Sequence, residues 1–526
     1  MRGARQAGRR WLTWGATALL LAGCGTGPGP SSQTTGDGSE ATTPMPATQP
    51  PGGQDELAPF YSQKLQWGAC GADVQAPDLA KCTWAQVPID YAKPDAGTTR
   101  LRLLKVSASG KSQGALLVNP GGPGGSAVDY AASADFIVSG QIRRAFDIVG
   151  VDPRGVGHSE PLNCVDAARV DQMLGMDPTP DDEAEYNQLE DSAKSFGQAC
   201  EQKYPKILGH VSTLDAARDM DIVRASLGQE KLTYLGKSYG TFLGATYAGL
   251  FPQRVGRLVL DGAIAPDLTN EQMNLGQATG FETATRAYVA ACVKDGDCPL
   301  GSNLESGMTG LQQFLKKLDS QPLPVQSDPR VKKLTEGWAS LGLARAMYDE
   351  SSWDGLTDAL RAAKRGDGTG LFELAKEYAD RQDDGTYSGN IMQVITAVNC
   401  LDRGSQRKDF AAMQTLGKEF AQEAPTWGPF MVWGSTSCDQ WPIKPVDEPH
   451  KISADGSAPI VVVGTTRDPA TPYEWAQSLA TQLQKGHLIT FDGDGHTAYM
   501  RSNSCVDGAV DAYFLKGTVP ADDLKC

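Results

Sequence analysis

Short apolar runs closed by glycine, aspartate or proline, with helical patterns between them, constrain this chain more than any other feature. They are "LRLLKVSAS" (101–109), "GALLVNPGG" (114–122), "FDIVGVDPRG" (146–155), "KLTYLGKS" (231–238), "RVGRLVLDG" (254–262), "PIVVVGTTRD" (459–468) and "GHLITFDGDGH" (486–496). Most are continuously apolar, as expected of strands buried on both faces in a parallel sheet. The intervening "STLDAARDMDIVRASLG" (212–228) places Leu214, Met220, Val223 and Leu227 on one helical stripe, with Ser212 or Thr213 as its cap. Alternating strand and helix predicts a mostly parallel, doubly wound α/β sheet. The alternation stops after Asp261, and residues 265–450 carry mainly helical spacing before strands resume at Pro459. The expected body is one α/β core, residues 57–264 and 451–526, with a large helical insertion over 265–450.

Within that pattern, Gly236-Lys237-Ser238-Tyr239-Gly240 matches G-x-S-x-G. The motif alone is weak, but here a strand enters it and a helical run from Tyr239 to Leu250 leaves it. A turn that sharp strains its central residue and excludes a Cβ on either side. It predicts Ser238 as a nucleophile exposed at the C-terminal edge of the sheet, above a helix N-terminus that favours negative charge.

A serine hydroxyl needs a base, and this fold supplies an acid and then a histidine downstream. Of five histidines, His496 in "DGDGHTAYM" is the one in a glycine-rich loop after a late strand. His487 opens that strand and so belongs at the other edge, His450 and His210 lie in polar loops, and His158 precedes Ser238. Asp468, ending "PIVVVGTTRD", is the expected acid that orients His496, with Thr471 placed to hydrogen-bond its carboxylate. Asp261, at the end of "LVLD", is the rival. The oxyanion requires two backbone donors. Tyr239 N–H is one; Gly121 or Gly122 in "LLVNPGGPGGS" (116–126) is the other, with Gly122 preferred. "VDPRGVGHS" (151–159) reads as a structural turn shaping the site floor.

The ends and the composition place the enzyme. Arg2, Arg5, Arg9 and Arg10 precede a short apolar run that ends in Leu21-Ala22-Gly23-Cys24. This resembles a bacterial lipoprotein signal peptide over 1–23 with Cys24 as the lipidated residue. Residues 24–56 are rich in Gly, Pro, Ser and Thr and are expected to be a disordered tether reaching on the order of 30 Å. Apart from Cys24, ten cysteines remain, an even number in an exported chain. Neighbour pairing gives Cys70–Cys82, Cys164–Cys200, Cys292–Cys298, Cys400–Cys438 and Cys505–Cys526. A net charge of −15 argues against nucleic acid. With no Cys-x-x-Cys or histidine cluster, neither a metal nor a cofactor is expected.

Taken together, "NPGGPGGS", "DPRGVGHS", "GKSYGTFLGATYAGLFPQRVGRLVLDG" and "VVVGTTRDPATPYEWA…DGDGHT" resemble the α/β-hydrolase serine peptidases of the proline iminopeptidase and tripeptidyl aminopeptidase group. The likeness is greatest to exported actinobacterial members and runs from about residue 60 to 526. It implies a Ser238, Asp468 and His496 triad, a lid formed by the insertion, and a tripeptidyl aminopeptidase-like C-terminal segment. Asn119-Pro120 ahead of Gly-Gly-Pro-Gly fits the tripeptidyl branch better than the iminopeptidases. The resemblance also implies acidic lid residues that bind the substrate's free α-amine. The candidates are Asp349, Glu350 and Asp402, with Asp402 favoured because a Cys400–Cys438 bridge would pin its loop. The substrates implied are peptide or protein N-termini. A carboxylesterase or lipase would use the same triad.

Overall fold

A computed structural model describes residues 55–526. The expected signal peptide, Cys24 and the tether up to residue 54 lie outside the described residues. Eleven strands follow in chain order: β1 (Ala80–Pro88), β2 (Thr98–Val106), β3 (Ala115–Asn119), β4 (Asp147–Val151), β5 (Leu232–Lys237), β6 (Val255–Asp261), β7 (Leu323–Pro324), β8 (Lys333–Leu334), β9 (Ile460–Arg467), β10 (Gly486–Asp494) and β11 (Leu524–Lys525). Nine of them form one sheet in the order β1-β2-β4-β3-β5-β6-β9-β10-β11. β2 is antiparallel to β1 and β4, and every pairing from β4 onward to β11 is parallel. β7 and β8 form a separate short ladder.

The strand runs are continuously apolar because helices cover both faces. In β3, Leu117 joins one core while Leu116 and Val118 join the other; in β9, Ile460 and Val462 oppose Val461 and Val463. Side chains alternate with period two, so a strand covered on both faces is apolar at every position. Helices Thr213–Ser226 and Tyr239–Leu250 pack on one face, and Ala127–Ala132 and Ser504–Lys516 on the other. β1 has no counterpart among the runs read from the sequence. It is an edge strand whose exposed Lys81, Trp84 and Gln86 interrupt the apolar pattern.

Between β6 and β9 the chain is mostly helical. Its long helices are Asn270–Asp295, Leu304–Ser320, Glu336–Met347, Trp353–Lys364, Thr369–Ala379, Ile391–Asp402 and Phe410–Glu423. Apart from Ile391–Asp402, which packs into the core of the sheet, they enclose an apolar core of their own around Phe281, Leu311, Trp338, Leu343 and Phe372. Among the described residues, five disulfides join Cys70–Cys82, Cys164–Cys200, Cys292–Cys298, Cys400–Cys438 and Cys505–Cys526, the neighbour pairing read from the sequence. Among the described residues, no helix is long and apolar enough to cross a membrane.

Candidate active site

Ser238 sits between β5 and helix Tyr239–Leu250 with φ 55° and ψ −126°, a left-handed geometry that non-glycine residues rarely hold. The neighbouring glycines make that turn possible. A Cβ on Gly236 would lie 2.3 Å from the Gly240 carbonyl, and one on Gly240 would lie 2.9 Å from the Asn119 carbonyl. Ser238 N–H donates to the Asp261 carbonyl at 2.9 Å, which fastens the elbow to the end of β6.

The acid and the histidine meet at the same sheet edge. Asp468 follows β9, is 2% exposed, and approaches His496 Nδ1 at 2.8 and 3.0 Å. Its Oδ1 also accepts the amides of Ala470 and Thr471, and its Oδ2 accepts that of Thr497. Three backbone donors thus hold the carboxylate flat against the imidazole. Thr471 contributes its backbone N–H to Asp468, while its hydroxyl lies 3.4 Å from His496 Nδ1. His496 N–H donates to the Tyr348 carbonyl at 3.0 Å, and the Tyr348 ring meets the imidazole edge-on at 5.0 Å. With Nδ1 committed to Asp468, Nε2 is the nitrogen left for chemistry. Among the described hydrogen bonds, none joins Ser238 Oγ to His496. Their common neighbour is the turn after β6: Asp261 receives the Ser238 amide, and His496 Cε1 lies 3.4 Å from where a Cβ on Gly262 would sit.

Asp261, the rival acid, faces other groups. Its carboxylate accepts the amides of Ala498 and Tyr499 at 2.8 and 3.0 Å. The other four histidines also have separate partners: His158 contacts Asp129, His210 lies 3.9 Å from Asp215, His487 contacts Asp522, and His450 contacts the Glu448 carbonyl.

The glycine loop after β3 presses against the elbow. A Cβ on Gly121 would stand 2.6 Å from the Lys237 carbonyl and 2.8 Å from Ser238 Cβ. The Gly121 amide is occupied, donating to Asn119 Oδ1 at 2.9 Å. Among the described hydrogen bonds, the amides of exposed Gly122 and of Tyr239 have no protein acceptor. Tyr239 opens its helix, where amides lack intrahelical partners. Of the two glycine donors considered, Gly122 is therefore the free one.

The acidic candidates separate. A cleft of about 990 Å³ is lined by His496, Asp349 and Glu350 together with Asp295, Asp354 and Arg501. Ser238 and the glycine loop do not line it, so this cleft borders the histidine side of the site. Asp349 accepts from Ser351 and from Arg501 Nη2 at 3.0 Å. Burial pushes its carboxyl up, but the Ser351 donors and Arg501 outweigh this and hold it below the usual range. Glu350 is exposed and has no ion-pair partner among the described residues.

Asp402 is elsewhere, and this corrects the preference given to it from the sequence. It is 5% exposed, and its carboxylate accepts the Thr213 amide at 2.8 Å and the Thr213 hydroxyl at 2.5 Å. That hydroxyl also contacts Tyr239 Oη at 2.6 Å, so Asp402 lies behind the elbow rather than facing a substrate amine. Burial pushes its carboxyl up to about 6.

One carboxylate trio, Asp177, Asp319 and Glu336, has the spacing to hold a cation, within 4.8 Å. None of the three lines the His496 cleft. Residues missed from sequence include Asn390, whose Oδ1 accepts the Gly157 amide at 3.0 Å and whose Nδ2 donates to the Gly155 carbonyl at 2.8 Å. Its only local signal is a polar residue before the apolar run "IMQVITAV".

A family profile described as TAP-like protein matches residues 424–526. Serine protease Hip1 of Mycobacterium tuberculosis is 35% identical over 535 residues, covering 98% of this chain and 97% of that protein. Carboxylesterase B of the same species is 40% identical over 498 residues, covering 91% and 93%. The tripeptidyl aminopeptidase of Streptomyces lividans is 33% identical over 477 residues, covering 88% and 86%.

Proposed function

Because this chain belongs to the α/β-hydrolase serine peptidases, we propose that it is an extracytoplasmic aminopeptidase that releases tripeptides from free N-termini. The observation that carries this reading is the meeting of two features at His496. Its imidazole is bonded to Asp468, and its main chain is bonded to the segment bearing Asp349 and Glu350. The first is a charge-oriented base; the second brings Glu350, a carboxylate without an ion-pair partner among the described residues, to the edge of the same site, beside Asp349 paired with Arg501.

In this reading Ser238 Oγ attacks the scissile carbonyl as His496 Nε2 takes its proton. Asp468 holds the tautomer and stabilises the imidazolium. The amides of Gly122 and Tyr239 receive the oxyanion. Collapse breaks the C–N bond, and the leaving amine takes the proton from His496. Water then adds to the acyl-enzyme with His496 as base, releasing the peptide and restoring Ser238. Glu350, with Asp349, receives the substrate's α-ammonium, and helices of the 265–450 insertion act as the lid. Export with lipidation at Cys24 anchors the body to the membrane surface; a Cys24→Ser variant is then expected to lose metabolic labelling by palmitate. The second reading, a carboxylesterase, is favoured by the name of one relative.

The test is a panel of matched tripeptide anilides with free and acetylated N-termini, single-residue anilides and short-chain esters. Free tripeptides should be cleaved, and acetylation should lower kcat/KM about 100-fold or more, the scale of a lost charge-assisted contact. Ser238→Ala should lose several decades of kcat, and Glu350→Gln should act mainly on KM. Turnover of esters alone, indifferent to the α-amine, would replace the peptidase with the esterase.

A further inference from the structure

We propose that Asp261 and Lys237 are positioning residues that clamp the histidine loop to the nucleophile elbow. The inference rests on the Ser238, Asp468 and His496 reading and concerns what fixes the distance between serine and histidine.

Asp468 orients the imidazole ring and holds the Thr497 amide, but its bonds to the loop end there. That loop is under strain: Thr497 and Met500 have φ of 65° and 61° without being glycine. Such residues persist only where surrounding contacts over-determine them. Asp261 supplies two of those contacts, its Oδ1 receiving the Ala498 amide and its Oδ2 the Tyr499 amide. Lys237 supplies a third, with Nζ donating to the Tyr499 carbonyl at 2.6 Å. The same ammonium lies 3.4 Å from Asp261 Oδ2 and 3.5 Å from Thr497 Oγ1. The Asp507 carboxylate holds the Met500 amide at 2.8 Å, so the loop is bonded at three successive residues.

The other end of the clamp is the elbow itself. Lys237 immediately precedes Ser238, and the Asp261 carbonyl receives the Ser238 amide. One strand-end residue therefore bonds the backbone of the nucleophile through its main chain and the backbone beyond the base through its side chain. Both clamp residues are buried, with Asp261 at 0% and Lys237 at 7% exposure. A bond network of this rigidity transmits little slack, and displacement of a catalytic group by about 1 Å costs on the order of 100-fold in rate.

The experiment compares Asp261→Asn, Lys237→Met and the double variant with wild type and Ser238→Ala. The readouts are kcat and KM on the preferred substrate, inactivation by an active-site-directed phosphonate, and thermal melting. A single variant leaves a buried charge unpaired and risks misfolding, whereas the double variant removes both charges and keeps the test alive. The expected result is a kcat loss of about 10- to 100-fold, an equal fall in phosphonate inactivation, and KM within about twofold. That loss should persist in the double variant even where its melting midpoint returns toward wild type. Folded variants with wild-type kcat and phosphonate rate, or with losses confined to KM, would overturn the clamp. If Ser238→Ala itself retains activity, the triad reading fails instead.

Discussion

Asp402 shows how burial decides what a carboxyl does. Its carboxylate is enclosed by Thr213, and burial pushes the group up to about 6, from an ordinary value of 3.8. The native state therefore binds a proton that the unfolded chain has lost between those values. Stability from this group is fully present below the unfolded value and is lost as pH rises through about 6. The loss amounts to at most about 3 kcal/mol. Asp402→Asn removes the titration while keeping one acceptor for Thr213. Urea denaturation at intervals between pH 4 and 7 should show a flatter decline for the variant than for wild type. An unchanged slope would mean that burial does not govern this carboxyl. The residue also marks a limit of reading single positions. Ser238, Asp468 and His496 stand out because each ends a strand or opens a turn, which is local information. The fate of Asp402 depends on Thr213, 189 positions away, and no local pattern carries that contact.

Helix Ile391–Asp402 links the turn after β4, the glycine loop and the helix that begins at Thr213. At its start, Asn390 bonds the turn after β4, and Gln393 receives the Val165 amide at 2.9 Å. Along its face, Ile391 and Val394 close over the glycine loop, with Ile391 Cδ1 3.4 Å from the Cβ position of Gly122. At its end, Asp402 reaches the helix behind the elbow and Cys400 is bridged to Cys438. Asn390 is 3% exposed, so Asn390→Ala strands a backbone amide and two carbonyls without water to replace the amide group. Stability should fall by about 1–3 kcal/mol in denaturant melts. If the helix forms the floor over the glycine loop, KM for the best substrate of the panel should rise a few-fold as well. A variant that loses stability while keeping wild-type KM would reduce the helix to a strut. The sequence reading puts Asp402 on a loop, whereas it closes a helix, and neither that helix nor its seat on the glycine loop is read from local spacing. That seat is fixed by the side chains of Ile391 and Val394 against the bare backbone of Gly122 and Gly124, a contact between distant segments that periodicity does not encode.

Over the whole molecule, disulfides restrain the segments that the sheet does not. Their sequence separations are 12, 36, 6, 38 and 21 residues. This is why neighbour pairing was readable from the sequence, while the order of strands was not: an apolar run does not state its partner, and β1 and β11 lacked even the run. Closing loops of these lengths constrains the unfolded chain by about 2–4 kcal/mol each. Together that rivals the usual net stability of a folded domain, about 5–15 kcal/mol. Two bridges also bear on the site. Cys400–Cys438 fastens the helix above the glycine loop. Cys505–Cys526 ties Cys526 to helix Ser504–Lys516, and the Cys526 amide on the Thr490 carbonyl ties it to β10, the strand that leads into His496. Full reduction and alkylation should therefore lower the melting midpoint by on the order of 10 °C and remove activity before the sheet is lost. Calorimetry beside activity, with and without reductant, separates the possibilities. A reduced enzyme that melts within a degree or two of the oxidised one, at full rate, would show that the packed cores alone hold the site.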